Sequence, residues 1–365
     1  MAIADRRDSF CGEMSACNNL EHYGVPYSLT GLHTEAPGSP EFSRDLEWSA
    51  SACRVVNGLR NLRIGAIGAR PAAFNIVRYS ERILEAQGIS IETLDLSEVL
   101  GRIEDMKDND DRARAMLDSI QKDVPSGNVP AAALLKMAKL GAVVDEWMRA
   151  TKVTVSAVQC WTSIEENLGM VPCTVINMMS NELLSSACEV DICGVLAMHA
   201  LRPASGTPSA VPYWNNNYGS NTNKAVCFHC SNLPKHFFRE ASMNYQAIVA
   251  GTVGIENADG TCVGRVKSGP MSFARFSTDD TSGRMRGYVG EGRFTDDPLE
   301  TFDGAGVMEI PRMKNLLRYI CESGFEHHVG ANFSTVGAAV REAATRYLGW
   351  DMYWHREQGG CSWPL

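Results

Sequence analysis

Short apolar runs that end in glycine or in an acid alternate with segments of helical spacing through the first half of the chain. Arg63-Ile64-Gly65-Ala66-Ile67-Gly68 is an apolar run closed by glycine, Phe74 to Ala86 shows helical spacing, and Ile89 to Asp95 reads as a second strand. Strand, helix, strand predicts the start of a parallel sheet, in which crossovers are nearly always right-handed. A polar stretch rich in Asp and Arg covers about 102 to 115, and a helix is predicted from about Ala131 to Ala150. Strands at Val153 to Gln159 and Pro172 to Ile176 and a helix from about Ile192 to Leu201 complete this half. Residues 1 to about 57 are irregular, with loop chemistry at Thr34 to Pro40 and a helical stretch from Leu46 to Leu59.

From about residue 202 the texture changes. Glycines thicken, alternating segments such as Lys224 to His229 and Met271 to Phe276 appear, and turns such as Asp259-Gly260 and Ser282-Gly283 punctuate them. This pattern predicts an antiparallel β domain built as a small barrel, closed by a last helix from Thr335 to Leu348. The expected fold is α/β: an N-terminal segment (1–57), a Rossmann-like parallel-sheet domain (58–201) and a C-terminal domain containing an antiparallel β-barrel (202–365). A length of 365 residues exceeds what one core usually organises, which agrees with more than one domain.

Composition narrows the function classes. A hydrophobic fraction of 44% with 21% charged residues is that of a soluble globular protein. The net charge of −9 and the scattered basic residues argue against a nucleic-acid partner, which needs a Lys/Arg-rich face. No apolar run reaches the ~18 residues of a membrane span, and Met1 to Asp8 lacks the apolar core of a signal peptide, so a cytoplasmic protein without a membrane partner is expected. Twelve cysteines spread over such a chain then read as reduced thiols that pack as small hydrophobes.

Chemistry concentrates where strands end. Gln159 to Asn167 and Cys188-Glu189-Val190-Asp191-Ile192 each follow a β-rich apolar run and carry carboxylates to the point where an open α/β sheet binds ligands. Glu326-His327-His328-Val329 adds adjacent imidazoles at an apparent strand start. Hard carboxylate oxygens with an imidazole suit Mn²⁺ or Mg²⁺. The same acids could equally serve helix N-termini, whose dipoles favour negative charge. Gly65-x-x-Gly68 is closer to a tight strand-to-helix turn than to a dinucleotide loop, which requires Gly-x-Gly-x-x-Gly. Cys227-Phe228-His229-Cys230 has the spacing of a zinc knuckle without a matching second pair, so His229 reads as a strand residue near the site. His22, His33 and His199 suggest no function. A two-lobed sugar-binding protein without catalysis, and a zinc or thiol enzyme using Cys227 and Cys230, remain alternatives.

As a set, Arg63 to Pro71, Cys160-Trp161 with Glu166, Pro172-Cys173, Cys188 to Ile192, Trp214 to Gly219, Phe228 to Asn232, Met271 to Arg275 and His327-His328-Val329 resemble the L-fucose isomerase-like proteins, distant relatives of L-arabinose isomerase. The resemblance covers roughly residues 50 to 350. It implies an aldose–ketose isomerase that works on an open-chain sugar through a cis-enediolate. It further implies Mn²⁺ (or Mg²⁺) held by Glu166, Asp191 and His328, with Glu166 and Asp191 also the acid/base pair. Trp161, His327 and Asn216 would then meet the substrate. Members carry a complete α/β domain ahead of the Gly-x-x-Gly strand, and residues 1–57 are read as what remains of one. Because a neighbouring subunit completes the family's pocket, a homo-oligomer, trimer or hexamer, is implied.

Overall fold

The apolar runs of the first half assemble into a parallel sheet of strands β1 (Arg63–Ile67), β2 (Ser90–Leu94), β3 (Val155–Val158) and β4 (Ser186–Cys188). The computed structural model describes residues 8–31, 34–229, 232–301 and 304–356. The strand order is β2-β1-β3-β4, with every neighbouring pair parallel. Strands β3 and β4 are buried throughout and β1 is buried except at Arg63, which explains runs of apolar and small residues without alternation. With β2 and β3 on opposite sides of β1, successive crossovers diverge and open a crevice at the carboxyl ends of the strands.

The Gly-x-x-Gly segment is a turn. Gly68 has φ 79°, a Cβ there would meet Gln159 Oε1 at 2.5 Å, and the Ala69 amide donates to that same oxygen at 2.8 Å. No helix starts at this point. The chain passes through a single 3₁₀ turn, Asn75–Val77, before the helix Glu81–Ala86. The helix expected over the whole of Phe74 to Ala86 is thus broken, and the Ser80 amide at the break donates to Thr278 Oγ1 at 3.0 Å. Within the polar stretch, Asp95 and Asp110 cap two amphipathic helices, Leu96–Asp105 and Asp111–Asp123.

One expected strand is a helix. Cys173–Asn181 is helical despite its β-branched start, because Pro172 sits at the N-cap and Thr174 Oγ1 donates to the Gly260 carbonyl at 2.7 Å, docking the helix against the second sheet. Tertiary contact has overridden local preference here.

The second half forms a ten-stranded, mostly antiparallel sheet. Its strands are β5 (Ser209–Ala210), β6 (Tyr213–Asn217), β7 (Lys224–Phe228), β8 (Phe238–Tyr245), β9 (Asp259–Val266), β10 (Gly269–Asp279), β11 (Arg284–Thr295), β12 (Ala305–Glu309), β13 (Gly330–Asn332) and β14 (Asp351–His355). The main path runs β5-β13-β10-β11-β12-β7-β6, with β14 parallel to β11 and the β8–β9 hairpin touching β12. The expected closed barrel is corrected by this order: the described residues form no closed barrel. A lone bridge between Tyr213 and His328 approaches closure by tying β6 to the segment entering β13. The last helix is shorter than expected, Gly337–Glu342, and continues as a π-helical turn, Ala343–Tyr347, ahead of β14.

The helix Ile192–Ser205 joins the two sheets. It packs on β3 and β4 from one side and on β10 and β13 from the other, which is why nearly its whole length is buried. No helix among the described residues is long and apolar enough to cross a membrane.

Gly65 shows how tightly β1 is packed, since a Cβ there would meet the Trp147 ring at 2.8 Å and Val153 Cγ1 at 3.0 Å. Gly65→Ala is expected to destabilise the chain by about 1–3 kcal/mol through overpacking, measured by chemical denaturation.

Candidate active site

Strands β3 and β4 end side by side, with Val158 opposite Cys188, so the residues that follow them share one crevice. After β3 come Cys160 and Trp161 and then the helix Ser163–Leu168, whose first turn carries Glu165 and Glu166. After β4 the chain turns sharply through Glu189 and Val190 at φ 60° and 52°. A β-branched residue in this left-handed region is strained, by an amount of order 1–3 kcal/mol, and such strain persists only where the surroundings over-determine it. Hydrogen bonds from the Val190 amide to the Val158 carbonyl (3.3 Å) and from the Asp191 amide to the Cys188 carbonyl (3.1 Å) hold the turn. Its effect is to aim Glu189 into the crevice and Asp191 away from it.

Asp191 lies at the centre of a buried charge network. Its carboxylate caps the helix Ile192–Ser205 by accepting from the Gly194 amide at 2.8 Å. The same carboxylate accepts two bonds from Arg275 on β10, Nη1 to Oδ2 at 2.6 Å and Nη2 to Oδ1 at 3.0 Å. His328 Nδ1 reaches Oδ2 at 2.8 Å. Burial alone would raise the Asp191 pKa, but Arg275 and His328 hold it well below the usual carboxylate range. Arg275 Nη2 also lies 3.2 Å from Glu326, which accepts from Ser277 Oγ.

His328 is consequently fixed at Nδ1, and its Nε2 faces Glu189 Oε2 at 3.1 Å. Neither Nε2 nor Oε2 has an aligned hydrogen-bond partner, although both residues are almost fully buried. Burial would depress the His328 pKa, but the Glu189 and Asp191 charges raise it to about 9. Tyr213 stacks on the His328 ring at 6.0 Å and meets His327 edge-on at 5.5 Å. Burial, with the charges of His328 and Arg275, lowers the His327 pKa to about 4 and keeps that ring neutral.

These residues open onto a cavity of about 280 Å³. Glu165, Glu189 and His327 supply the carboxyls and the imidazole of its lining, and Phe74, Trp161, Ile248 and Val249 form an apolar wall. Phe74 and Trp161 meet edge-to-face at 5.4 Å. Glu165 is 1% exposed and its Oε2 has no hydrogen-bond partner, so burial, together with the neighbouring Glu166 charge, raises its pKa to about 8.

The structure brings together Trp161, His327 and His328 as expected of a site, and rearranges the acids. Glu166 is exposed on the outer side of its helix, and Glu165 is the one that faces the cavity. Asp191 is buried but spent on Arg275, His328 and the helix cap, so the helix-terminus alternative describes it well, and Glu189 stands at the cavity in its place. Asn216 is exposed on β6 and outside the cavity lining. Cys227 is packed in the core on β7, where burial pushes its thiol up to about 12, and Cys230 and His33 lie outside the described residues. Arg275 and Glu189 belong to the motifs singled out in the sequence but carried no assigned role, and Tyr213 was not singled out. The available signal was position, since Glu189 immediately follows the last residue of β4.

Glu189, His229 and His328 present donor atoms within 4.8 Å of one another. His229 Nδ1 accepts the Asn232 amide at 3.1 Å, so a neutral ring carries its proton on Nε2, 3.2 Å from Cys188 Sγ. That leaves Glu189 Oε2 and His328 Nε2 as the donors suited to a cation. These two atoms, 3.1 Å apart without an aligned hydrogen bond, and a carboxylate fixing the far nitrogen of the histidine, are the arrangement in which a histidine ligand is held for a metal.

Comparison with known proteins gives the family. The description "L-fucose isomerase, C-terminal domain" matches residues 227–355 and "Fucose/sulfoquinovose isomerase, N-terminal domain" matches residues 1–60, together just over half of the chain. The chain belongs to the fucose isomerase-like family. Sulfoquinovose isomerase of Alkalicoccus urumqiensis is 24% identical over 344 residues, 92% of this chain and 74% of that protein. Sulfoquinovose isomerase of Priestia aryabhattai is 24% identical over 228 residues, 62% of this chain and 50% of that protein. The protein of the same name from Clostridium sp. (strain MSTE9) is 24% identical over 210 residues, 56% of this chain and 45% of that protein. The chain thus spans three quarters of the first relative and about half of the other two.

Without a metal, His328 and Glu165 both bind protons more tightly in the folded than in the unfolded chain. Their contribution is present below the ordinary values of 6.5 and 4.5 and is lost as pH rises through about 9 and about 8. Chelator-treated protein is therefore expected to lose stability from about pH 6.5 to about pH 9, and His328→Gln to flatten that decline, as followed by denaturant titration at a series of pH values.

Proposed function

We propose that the chain is an aldose–ketose isomerase acting on an open-chain sugar in the cavity between β3, β4 and the His327–His328 segment. The observation that carries this is a buried Glu189–His328 pair, with Oε2 and Nε2 3.1 Å apart and neither in an aligned hydrogen bond, beside a second carboxyl, Glu165, whose pKa lies within reach of neutrality. Family membership and the names of the relatives support the same reading.

Glu189 and His328 would hold the divalent cation, with Glu165 presenting a further carboxyl to the same cavity. A hard oxygen with an imidazole suits Mn²⁺ or Mg²⁺, and we assign Mn²⁺. When bound, such a cation supplies Lewis-acid polarisation of the sugar's carbonyl and neighbouring hydroxyl. Isomerisation moves one hydrogen from C2 to C1 and one proton from O2 to O1, with no external electron acceptor. Glu165 is assigned the carbon-bound proton, because burial makes its ionised form a stronger base than an ordinary carboxylate. The Glu189 carboxylate takes the hydroxyl proton. Neutral His327 offers a hydrogen bond to the sugar, and Trp161 with Phe74 covers one side and excludes water. Asp191 acts one step removed, by holding His328 at Nδ1 so that Nε2 faces Glu189.

Among the described residues, those that line the cavity are carboxyls, an imidazole, thiols, a phenol and apolar groups, and the substrate is assigned as an open-chain aldose or ketose without a finer class. Ile248, 42% exposed at the cavity's apolar edge, and Ile255, 60% exposed just past the helix that carries Ile248, support a homo-oligomer, trimer or hexamer, that covers them. The division at 57/58 and 201/202 and a cytoplasmic location stay part of the proposal.

Two measurements test the assignment. With Mn²⁺ and a panel of aldoses in D₂O, the chain should form ketose carrying deuterium at the carbon that receives the proton. Glu165→Gln should lower the rate by about 10²–10⁴-fold while Glu166→Gln leaves it nearly unchanged. A wild-type rate in Glu165→Gln, or product free of deuterium, would sink the role given to Glu165. Asp191→Asn should weaken Mn²⁺ binding by about 10–100-fold, as expected of a group that orients a ligand.

A further inference from the structure

Beside the cavity lies a second set of donors, which joins Glu189 to two thiols that isomerisation does not use. Cys160 follows β3 by two residues and Cys188 ends β4, and the register of these neighbouring strands brings the thiols together. Cys160 Sγ, Cys188 Sγ and a Glu189 oxygen lie within 4.8 Å of one another. All three residues are buried, and Cys160 and Glu189 line the cavity, which gives an ion a route in.

A hydrogen-bond donor is aimed at one of the two sulfurs. His229 accepts the Asn232 amide at Nδ1, so its Nε2–H points at Cys188 Sγ, 3.2 Å away, as a donor that a thiolate accepts better than a thiol. Glu189 Oε2 lacks a hydrogen-bond partner. The tetrahedral edge for Zn–S bonds of ~2.3 Å is roughly 3.8 Å, so donors within 4.8 Å close on such an ion by moving about 1 Å or less. A fourth position would face the cavity. The donor chemistry, two sulfurs and one carboxylate, is that of a thiophilic ion and unlike the oxygen–imidazole pair of Glu189 and His328.

We propose that Cys160, Cys188 and Glu189 form a soft-cation site that takes a thiophilic divalent ion such as Zn²⁺ or Cd²⁺, and that its occupation excludes the hard cation by withdrawing Glu189. Binding releases the two thiol protons to solvent and leaves two thiolates and one carboxylate around a dipositive ion. Glu189 belongs to both donor sets, so thiophilic ions act as antagonists of the hard cation as well as obstructing the cavity. The exclusion rests on the assignment of Glu189 and His328 made above, whereas the soft site does not.

The test uses the reduced, chelator-treated full chain. Cd²⁺ is titrated in while its thiolate charge-transfer absorption is followed in the ultraviolet, and free Mn²⁺ is followed by its paramagnetic resonance signal. Wild type should show the cadmium band at one ion per chain, Cys160→Ser and Cys188→Ser should each lose it, and Cys227→Ser and His328→Gln should keep it. Saturating Cd²⁺ should weaken Mn²⁺ binding by about tenfold or more. In wild type, which needs no variant to fold, Cd²⁺ should protect Cys160 and Cys188 from alkylation, read by mass spectrometry. Absence of the band while Mn²⁺ binds, or its survival in either serine variant, overturns the soft site and leaves the isomerase assignment standing. Cysteine-dependent Cd²⁺ binding in a chain that never binds Mn²⁺ upholds the soft site and overturns the hard-cation assignment. Unchanged Mn²⁺ affinity at saturating Cd²⁺ overturns the sharing of Glu189.

Discussion

The bidentate contact between Arg275 and Asp191 is the interaction on which the site depends. It spans the two sheets, since Asp191 stands just past β4 and Arg275 lies in the middle of β10. Both side chains are fully buried, and so are the groups that share the Asp191 carboxylate, the Gly194 amide and the His328 ring. A buried ion pair is weak evidence for net stability, because desolvation offsets most of the Coulomb gain. Its value here is positional. One carboxylate with four hydrogen bonds to three partners fixes where the helix Ile192–Ser205 begins, where β10 lies against it, and which nitrogen of His328 is left to face Glu189. Gly194 shows how little room this leaves, since a Cβ there would come within 2.3 Å of Asp191 Oδ2.

The strained turn at Glu189 and Val190 is the complement of that network. Two carboxylates placed two residues apart on a regular strand would point to the same face. The consecutive left-handed residues break this rule, so that Asp191 enters the charge network while Glu189 enters the cavity. The division of labour between the two acids is thus written in the backbone, and the buried Arg275 makes it hard to exchange. A similar contrast separates Glu165 from Glu166, where adjacent helix positions lie about 100° apart and one is buried while the other is solvated.

Much of this was legible in the sequence, within limits that have physical causes. Buried parallel strands advertise themselves as short apolar runs, so β1 and β3 could be located, with the half-exposed β2 beside them and the acids after β3 and β4. Pro172 to Ile176 misled because β-branched residues favour strands until a docking partner such as Gly260 decides otherwise. The barrel failed to close because closure depends on register between distant strands, and β6 meets the lead-in to β13 at a single bridge. Choosing between Glu165 and Glu166 needed the phase of a six-residue helix, and choosing between Glu189 and Asp191 needed backbone dihedrals that no composition rule encodes. Arg275 was the least accessible, because an arginine inside an apolar strand declares a buried anion without naming it.

That lone bridge ties the chemistry to the assembly of the whole chain. The carboxyls of the candidate site come from the first sheet, and its imidazoles come from a segment tethered to Tyr213 and leading into the second. The Trp214 amide donates to the His327 carbonyl and the Val329 amide to the Pro212 carbonyl, so the histidine pair is held by strand-like pairing on both sides. Neither sheet alone would place Glu189 against His328. Their 3.1 Å approach exists because the helix Ile192–Ser205 packs against both sheets and because Asp191 at its cap grips Arg275 from β10 and His328 from the segment that leads into the neighbouring β13. Loosening any of these contacts would move the imidazole relative to the carboxyl before it unfolded anything, and the site would feel the change before the fold did.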